Sequence, residues 1–364
     1  MTDSRMTGAT ADPAAAPAAR VGAFERLPKW LNLVPMLLQW AWLGLRHGSL
    51  TLPSSANPHI TAGGLVGDTK SEYFACMGPL ARARVAPFVT LHPHGHSSLP
   101  AALAALRREG LDFPVVAKPD LGWCGYGVRR IDDARALQAY LGAFPPAASL
   151  MLQAYLDEPG EAGIFYVRHP QQPCGRLLAI LLRHYPQVIG DGVSTVAQLV
   201  GADPRLRRTT GNPAHECDYR GDRVPAMAEI VRLSLIASTR VGGRYEDRSD
   251  CATPALTAAI EAIAQDMPRF HVGRFDVRYR TLQDLRGGRF TIMEVNGAGS
   301  EAVHAWDPKY SIAEVYRIVF AKQRLLFSIA AANRAQGHRP VGMLALARHH
   351  LHQQRLIRHY PKSN

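Results

Sequence analysis

Two short segments alternate apolar side chains with charged or amide ones, as a β-strand with one buried face does. They are VGRFDVRYR (272–280) and FTIMEVN (290–296). The polar positions on one face of each expected strand are Arg274, Asp276 and Arg278 in the first and Glu294 and Asn296 in the second. If the strands pair, their carboxylate and amide oxygens converge into a ligand set that suits Mg²⁺ together with phosphate. The alternative is a surface ladder of arginine–carboxylate pairs.

A lysine and three glycines in PVVAKPDLGWCGYGV (114–128) are a second candidate for phosphate binding. Lys118 falls on an expected strand, and the loop after it carries Gly122, Gly125 and Gly127. Glycines let backbone N–H groups approach an anion, and the lysine adds a point charge. Because no Gly-Lys-Ser/Thr sequence ends the loop, it is not a Walker A motif. Turn glycines beside a solvated lysine are the alternative interpretation.

Two further polar segments have both a functional and an ordinary interpretation. GGLVGDTK (63–70) contains Lys70, which would suit a substrate anion, but clusters of Gly, Asp and Thr usually mark loops. HPHGH offers His92, His94 and His96 for zinc, but no fourth ligand is identifiable, which favours ordinary loop histidines.

The elements that must position these residues alternate along the chain. Strand-like runs are expected at 112–120, 149–156, 164–169 and 176–184, and amphipathic helices at 132–144, 254–267 and 311–337. Interleaved strands and helices indicate an α/β or α+β class. At 364 residues, the chain is long enough for two or three packed lobes.

The chain carries 42 Lys and Arg against 30 Asp and Glu, a formal net charge of +12. Such a surplus favours an anionic partner, namely nucleic acid, an acidic membrane or a phosphorylated ligand. Without a helix-turn-helix, zinc finger or aromatic RNA-binding motif, no specific nucleic-acid partner is expected. The five scattered cysteines lack metal-ligand spacing, which favours a reduced, cytoplasmic protein without a disulfide framework.

The two ends of the chain carry features separate from the site candidates. Residues 1–20 are rich in Ala and Pro and are expected to be a disordered tail, since they lack the apolar run of a signal peptide. The Trp-rich segment 27–46 is interpreted either as a helix packed on the protein's own core or as one lying at a membrane interface. The basic segment 345–364 is interpreted either as a solvated tail or as a contact for acidic lipid.

In this order, the glycine loop, the segment LMLQAYLDEPGEAG (150–163) and the acidic strand pair resemble the ATP-grasp superfamily over residues 107–330. The resemblance implies an α+β ATP-grasp fold in which two α/β lobes clamp ATP beside a divergent N-terminal region. The implied division is a tail at 1–20, an N-terminal region for membrane or substrate contact at 21–106, a small lobe at 107–170, a large lobe at 171–337 and a basic tail at 338–364.

The resemblance also implies roles for the residues that match the superfamily's motifs. The residues expected to hold the phosphates of ATP are Lys118, Gly122, Gly125 and Gly127, and those expected to line adenine include Gln153, Tyr155 and Leu156. Ribose is expected to bind Glu161, with Glu158 as the competing choice. Two Mg²⁺ ions, or Mn²⁺, are expected on Asp276, Glu294 and Asn296, and the transferring phosphoryl group beside Arg274 and Arg183. Substrate contacts are expected from Gly299, Ser300 and Lys70.

One more segment narrows the resemblance. RHYPQVIGDGVSTVAQLV (183–200) resembles the cyanophycin synthetase and glutamate ligase branches, and the turn NGAGSE (296–301) resembles D-alanine–D-alanine ligases. That last branch usually carries an Asn-x-x-Pro-Gly turn, which is absent here. The implied activity is a ligase that joins a carboxylic acid to an amine or amino acid through an acyl phosphate, releasing ADP and phosphate, in a homodimer. The alternatives are an ATP-grasp kinase acting on a small molecule and a membrane-peripheral nucleotide-binding adaptor.

Overall fold

The computed structural model describes residues 21–92, 98–211, 216 and 219–364, so His94 and His96 lie outside the described residues. The helices are α1 (Ala23–Arg26), α2 (Lys29–His47), α3 (Lys70–Ala75), α4 (Pro79–Arg82), α5 (Leu99–Arg108), α6 (Ala134–Ala143), α7 (Val196–Ala202), α8 (Pro204–Arg207), α9 (Pro254–Gln265), α10 (Leu282–Arg286), α11 (Ile312–Ala335) and α12 (Met343–Ile357). The strands are β1 (Phe88–Leu91), β2 (Val115–Pro119), β3 (Arg129–Ile131), β4 (Leu150–Ala154), β5 (Gly160–Val167), β6 (Arg176–His184), β7 (Gln187–Ile189), β8 (Ile230–Arg232), β9 (Arg244–Asp247), β10 (Val272–Tyr279) and β11 (Thr291–Asn296).

A smaller sheet has the strand order β1-β4-β2-β3, and each neighbouring pair is antiparallel. Helix α6 packs against this sheet, and its predicted apolar positions Leu137, Tyr140 and Leu141 are buried there. Asp133 caps the helix by accepting a hydrogen bond from the backbone N–H of Ala136, as the sequence predicts. Apolar spacing and an N-cap therefore suffice to define this part of the fold.

A larger sheet has the order β11-β10-β5-β6-β9, again with antiparallel pairs throughout. All eight residues of β10 are buried, because β5 and β11 flank it and α9 covers its apolar face. Antiparallel sheets with separate helices confirm the α+β class among the two that the sequence left open.

Two strand pairings cross the expected domain boundaries, and the division itself stays a prediction. Strand β1 lies within the expected N-terminal region 21–106 but pairs with β4 of the smaller sheet. Strand β5 lies within the expected small lobe 107–170 but pairs along its whole length with β10 of the larger sheet. The connection between the two sheets is therefore 155–159, because main-chain hydrogen bonds commit β5 to the larger sheet.

The two ends of the described chain are helical and packed. Helix α2 lies along α11, where Gln39 donates to the carbonyl oxygen of Phe320 at 2.9 Å. Helix α12 replaces the solvated tail that the basic composition of 345–364 suggested, and Leu356 inserts into the core of the smaller sheet. No helix in the described ranges is long and apolar enough to cross a membrane.

Candidate active site

A cleft of about 460 Å³ lies between the two sheets and collects nearly all the residues that the sequence singles out. Its lining includes Lys70, Lys118, Gly122, Gly125, Gln153, Tyr155, Leu156, Glu161, Arg183, Arg274, Asp276, Glu294, Asn296, Gly299 and Ser300. Of the expected site residues only Gly127 is not in this lining, because it packs beneath Pro119 and Tyr360. Glu158, the alternative candidate for binding ribose, lines a separate pocket.

Lys118, on β2, spans the two sheets at the floor of the cleft. Its ammonium donates to Oε1 of Gln153 at 2.6 Å and to the carbonyl oxygen of Met293, on β11, at 2.9 Å. Burial lowers the pKa of Lys118 to about 8, although the nearby Glu294 carboxylate opposes the shift. An anionic ligand in the cleft would therefore favour the protonated lysine.

The glycine loop that follows β2 is held in place by the C-terminal segment of the chain. The hydroxyl of Tyr360 donates a hydrogen bond to the carbonyl oxygen of Leu121 at 2.7 Å. The side-chain amide of Gln353 donates to the carbonyl oxygen of Gly122 at 3.2 Å. At the far end of the loop, the backbone N–H of Asn364 donates to the carbonyl oxygen of Val128 at 3.3 Å. The loop is thus bonded at both ends, and its backbone lines the cleft between them.

Asp276, on β10, is the most heavily bonded acid in the cleft. Arg274 donates two hydrogen bonds to its carboxylate, at 2.6 and 2.9 Å, and Arg183 donates a third at 3.1 Å. The amide of Asn296 donates to the same group at 3.1 Å. Burial would raise the pKa of the Asp276 carboxyl, but the two guanidinium groups outweigh it and hold the pKa below its ordinary value.

Glu294 lies directly opposite Asp276 in the β10–β11 register, on the face that the sequence assigns to both residues. Its carboxylate is one third exposed and forms an ion pair with Lys70 at 3.3 Å. The Lys70 ammonium also donates to the carbonyl oxygen of Pro119 at 3.0 Å. Lys70 thus joins the start of α3 to both sheets, which the sequence alone did not predict.

Glu161, the expected ribose ligand, is engaged by other side chains in this structure. Its carboxylate accepts a hydrogen bond from Arg183 at 3.1 Å and another from the hydroxyl of Tyr185. Arg278 lies beside it, with an N–O distance of 3.9 Å. A ribose hydroxyl would have to share this carboxylate with Arg183 or Tyr185.

The segment around Gly64 forms the wall of the cleft beside the turn 296–300. The N–H of Gly299 donates to the carbonyl oxygen of Gly64 at 2.6 Å. A Cβ atom on Gly64 would lie 2.6 Å from Cα of Gly297, and its φ of +77° is a left-handed conformation that favours glycine. The predicted segment 63–70 is therefore part of the cleft rather than a remote polar loop.

The residues chosen as metal ligands converge but are occupied by cationic side chains. Arg183 and Arg274 contact Asp276, and Lys70 contacts Glu294. Within the described ranges, no group of three His, Cys, Asp or Glu side chains is arranged to hold a metal ion. The oxygen donors still fit a hard cation, because two acids and an amide oxygen share one face of paired strands and already attract positive charge.

Sequence reasoning missed the contribution of helix α12 to the cleft. His350, Gln353 and Gln354 line it from the side of the glycine loop. The helix-forming residues after Gly342 were a signal for the helix itself. No local signal indicated its packing against a loop more than 200 positions earlier.

No protein-family model matches the chain. Among curated proteins, it is similar to the cyanophycin synthetase of Nostoc sp., with 27% identity over 219 residues that cover 53% of this chain and 22% of the relative. The cyanophycin synthetase of Synechocystis sp. is 26% identical over 212 residues, covering 53% of this chain and 24% of the relative. The predicted resemblance to this branch is confirmed, and the chain spans about a fifth of the length of these relatives.

Among solved structures, D-alanine–D-alanine ligase from Bacillus anthracis aligns with a TM-score of 0.43 and 14% identity, covering 76% of this chain and 72% of the other. A bifunctional glutathione synthetase from Pasteurella multocida aligns with a TM-score of 0.35 and 18% identity, covering 73% and 38%. At TM-scores below 0.5, neither similarity carries a conclusion.

Proposed function

We propose that this chain is an ATP-grasp ligase that joins a carboxylic acid to an amine or amino acid, with ATP converted to ADP and phosphate. The observation that carries the proposal is the single cleft between two antiparallel sheets that unites Lys118 and the glycine loop with Asp276 and Glu294. The similarity to cyanophycin synthetases supports the same class of reaction.

The nucleotide is proposed to lie between the sheets, with its phosphates against the glycine loop. Lys118 supplies positive charge there, and burial increases the strength of its interaction with a phosphate. Gln153 lies near the end of β4, Tyr155 and Leu156 lie just after it, and all three line the cleft, which suits the adenine ring. Glu161 is proposed to accept from the ribose hydroxyls.

In the first step, a substrate carboxylate oxygen attacks the γ-phosphorus of ATP, and the bond to the bridging oxygen of ADP breaks. In the second, the amine nitrogen attacks the acyl carbon of the acyl phosphate, loses a proton and displaces phosphate. Arg274 and Arg183 are proposed to neutralise the transferring phosphoryl group, because both guanidinium groups lie in the cleft. Positioning and charge neutralisation supply most of the catalysis in such reactions.

Asp276, Glu294 and Asn296 are the residues proposed to hold Mg²⁺, in two ions. When bound, Mg²⁺ neutralises phosphate charge. The arginines and Lys70 that now contact these acids would then be free to turn toward the phosphates and the substrate. Gly299 and Ser300 are proposed to contact the substrate from the neighbouring turn.

A screen for ADP release tests the proposal. Purified protein is incubated with ATP, Mg²⁺ and carboxylic acids, each alone and in combination with amino acids, amines or polyamines. A ligase is expected to release ADP and free phosphate only when both an acid and an amine are present. ADP released without free phosphate, together with a phosphorylated hydroxyl compound, would instead identify a kinase.

The proposed partners are therefore small acids and amines. A homodimer and a cytoplasmic location stay predictions from the resemblance and from the cysteine content, respectively. Peripheral membrane contact through 27–46 and 345–364 also stays a prediction.

A further inference from the structure

Helix α2 exposes large apolar side chains along one side. We call Trp30, Leu33, Leu37, Leu38, Trp42 and Leu45 the apolar stripe; their exposed fractions range from 49% to 81%. Their successive spacings of three, four, one, four and three residues place all six within one half of the helix circumference. A contiguous patch of this kind is uncommon on a protein surface that faces only water.

The opposite side of α2 explains why the stripe cannot simply turn inward. Asn32 donates to the carbonyl oxygen of Phe24 at 3.0 Å, and Gln39 donates to that of Phe320 at 2.9 Å. From α11, the side chain of Gln323 donates to the carbonyl oxygen of Met36 at 3.2 Å. Polar side chains therefore anchor α2 to α1 and α11 and keep the apolar stripe on the outside.

The charged side chains at the two ends of the apolar stripe are basic. No Asp or Glu occurs between Arg26 and Asp68. The guanidinium of the exposed Arg46 lies 5.5 Å from the ring centroid of Trp42 at one end of the stripe, and the exposed Arg26 precedes the other end. A second copy docked through the stripe would add its own Arg26 and Arg46 to those of the first chain, which disfavours that occupant.

We propose that the apolar stripe inserts into the interfacial region of an acidic lipid bilayer, with α2 lying along the surface. Tryptophan at the headgroup level and arginine beside anionic headgroups are the side chains that such an interface favours. Apolar burial supplies the attraction, and the basic ends select for anionic lipid. This proposal does not depend on the proposed ligase activity.

Vesicle flotation tests the proposal with the full chain. The double variant Leu37→Glu/Leu38→Glu places two carboxylates in the middle of the stripe, where both side chains are exposed. Met227→Glu is the matched control, since Met227 is 74% exposed and lies far from α2 in the sequence. The vesicles are phosphatidylcholine alone or mixed with phosphatidylglycerol.

Wild type and Met227→Glu are expected to float with the mixed vesicles, and the double variant to float at least tenfold less with an unchanged melting temperature. Equal flotation of the double variant, or absence of wild-type flotation, would overturn the proposal. Light scattering tests the alternative that a second copy of the chain covers the stripe. A dimeric wild type and a monomeric double variant would assign the stripe to that dimer interface and overturn the proposal. Because flotation needs neither ATP nor turnover, its outcome is independent of the ADP assay.

Discussion

Asp276 and Glu294 face each other across the β10–β11 pair, yet different cations hold them: Arg183 and Arg274 contact Asp276, and Lys70 contacts Glu294. The two acids also differ in burial, since Asp276 is almost fully enclosed and Glu294 is one third exposed. Removing the charge of Asp276 would leave the buried Arg274 guanidinium without its carboxylate and Arg183 with Glu161 alone, which destabilises a protein. Glu294 is therefore the better position at which to test the site without unfolding it.

Glu294→Gln is expected to lower the rate of ADP release at least roughly 100-fold, because it removes one of the charged groups proposed to organise the phosphates. Steady-state ADP release, with acid and amine substrates at saturation, measures the effect. Glu246→Gln is the matched control, since Glu246 pairs with Arg244 on β9 and does not line the cleft. Equal rates for Glu294→Gln and Glu246→Gln would exclude Glu294 from the site.

Lys118→Met is expected to weaken ATP binding by about 10- to 100-fold, the range for a hydrogen bond to a charged group. Because the pKa of Lys118 is about 8 in the free protein, raising the pH through 8 removes the positive charge. Wild-type ATP affinity is therefore expected to fall as the pH rises above 8, and Lys118→Met to lack that component. Calorimetric titrations between pH 7 and pH 9.5 measure both; superimposable pH profiles would count against Lys118 as a phosphate ligand.

Tyr360→Phe is expected to loosen the glycine loop, because it removes the hydrogen bond to the carbonyl oxygen of Leu121 while keeping the ring. A loss of about 1 kcal/mol corresponds to roughly fivefold faster hydrogen exchange of the 121–128 amides. Tyr316→Phe is the matched control, since that hydroxyl bonds to the carbonyl oxygen of Asn32, away from the cleft. Unchanged exchange in Tyr360→Phe would mean that the loop does not depend on this bond.

Glu25→Gln is expected to lower the free energy of unfolding by about 3 kcal/mol, the cost of breaking a buried ion pair. Arg205 donates two hydrogen bonds to the Glu25 carboxylate, at 2.9 and 2.7 Å, and both side chains are more than nine-tenths buried. Urea denaturation measures the change. Asp222→Asn, in the exposed pair with Arg220, is expected to cost under about 1 kcal/mol; a similar loss in both variants would contradict the prediction.

Local patterns predicted those parts of the site in which each side chain is positioned by its own strand. Alternation along β10 and β11 was enough to place Asp276 and Glu294 on one face, and the structure adds the register that sets them opposite each other. The Lys70–Glu294 ion pair was not predictable, because it depends on how the start of α3 packs against a strand far along the chain. The same is true of the hydrogen bond from Tyr360 to the glycine loop, because tertiary packing brings the two together and no local sequence pattern indicates it.

The bonds from Gln353, Tyr360 and Asn364 to the glycine loop also bear on when the site matures during synthesis. Residues 121–128 leave the ribosome more than 200 positions before their C-terminal partners do. Both sheets can be complete while this loop still lacks those three bonds. The proposed nucleotide site would then reach its final form only after the main body has folded.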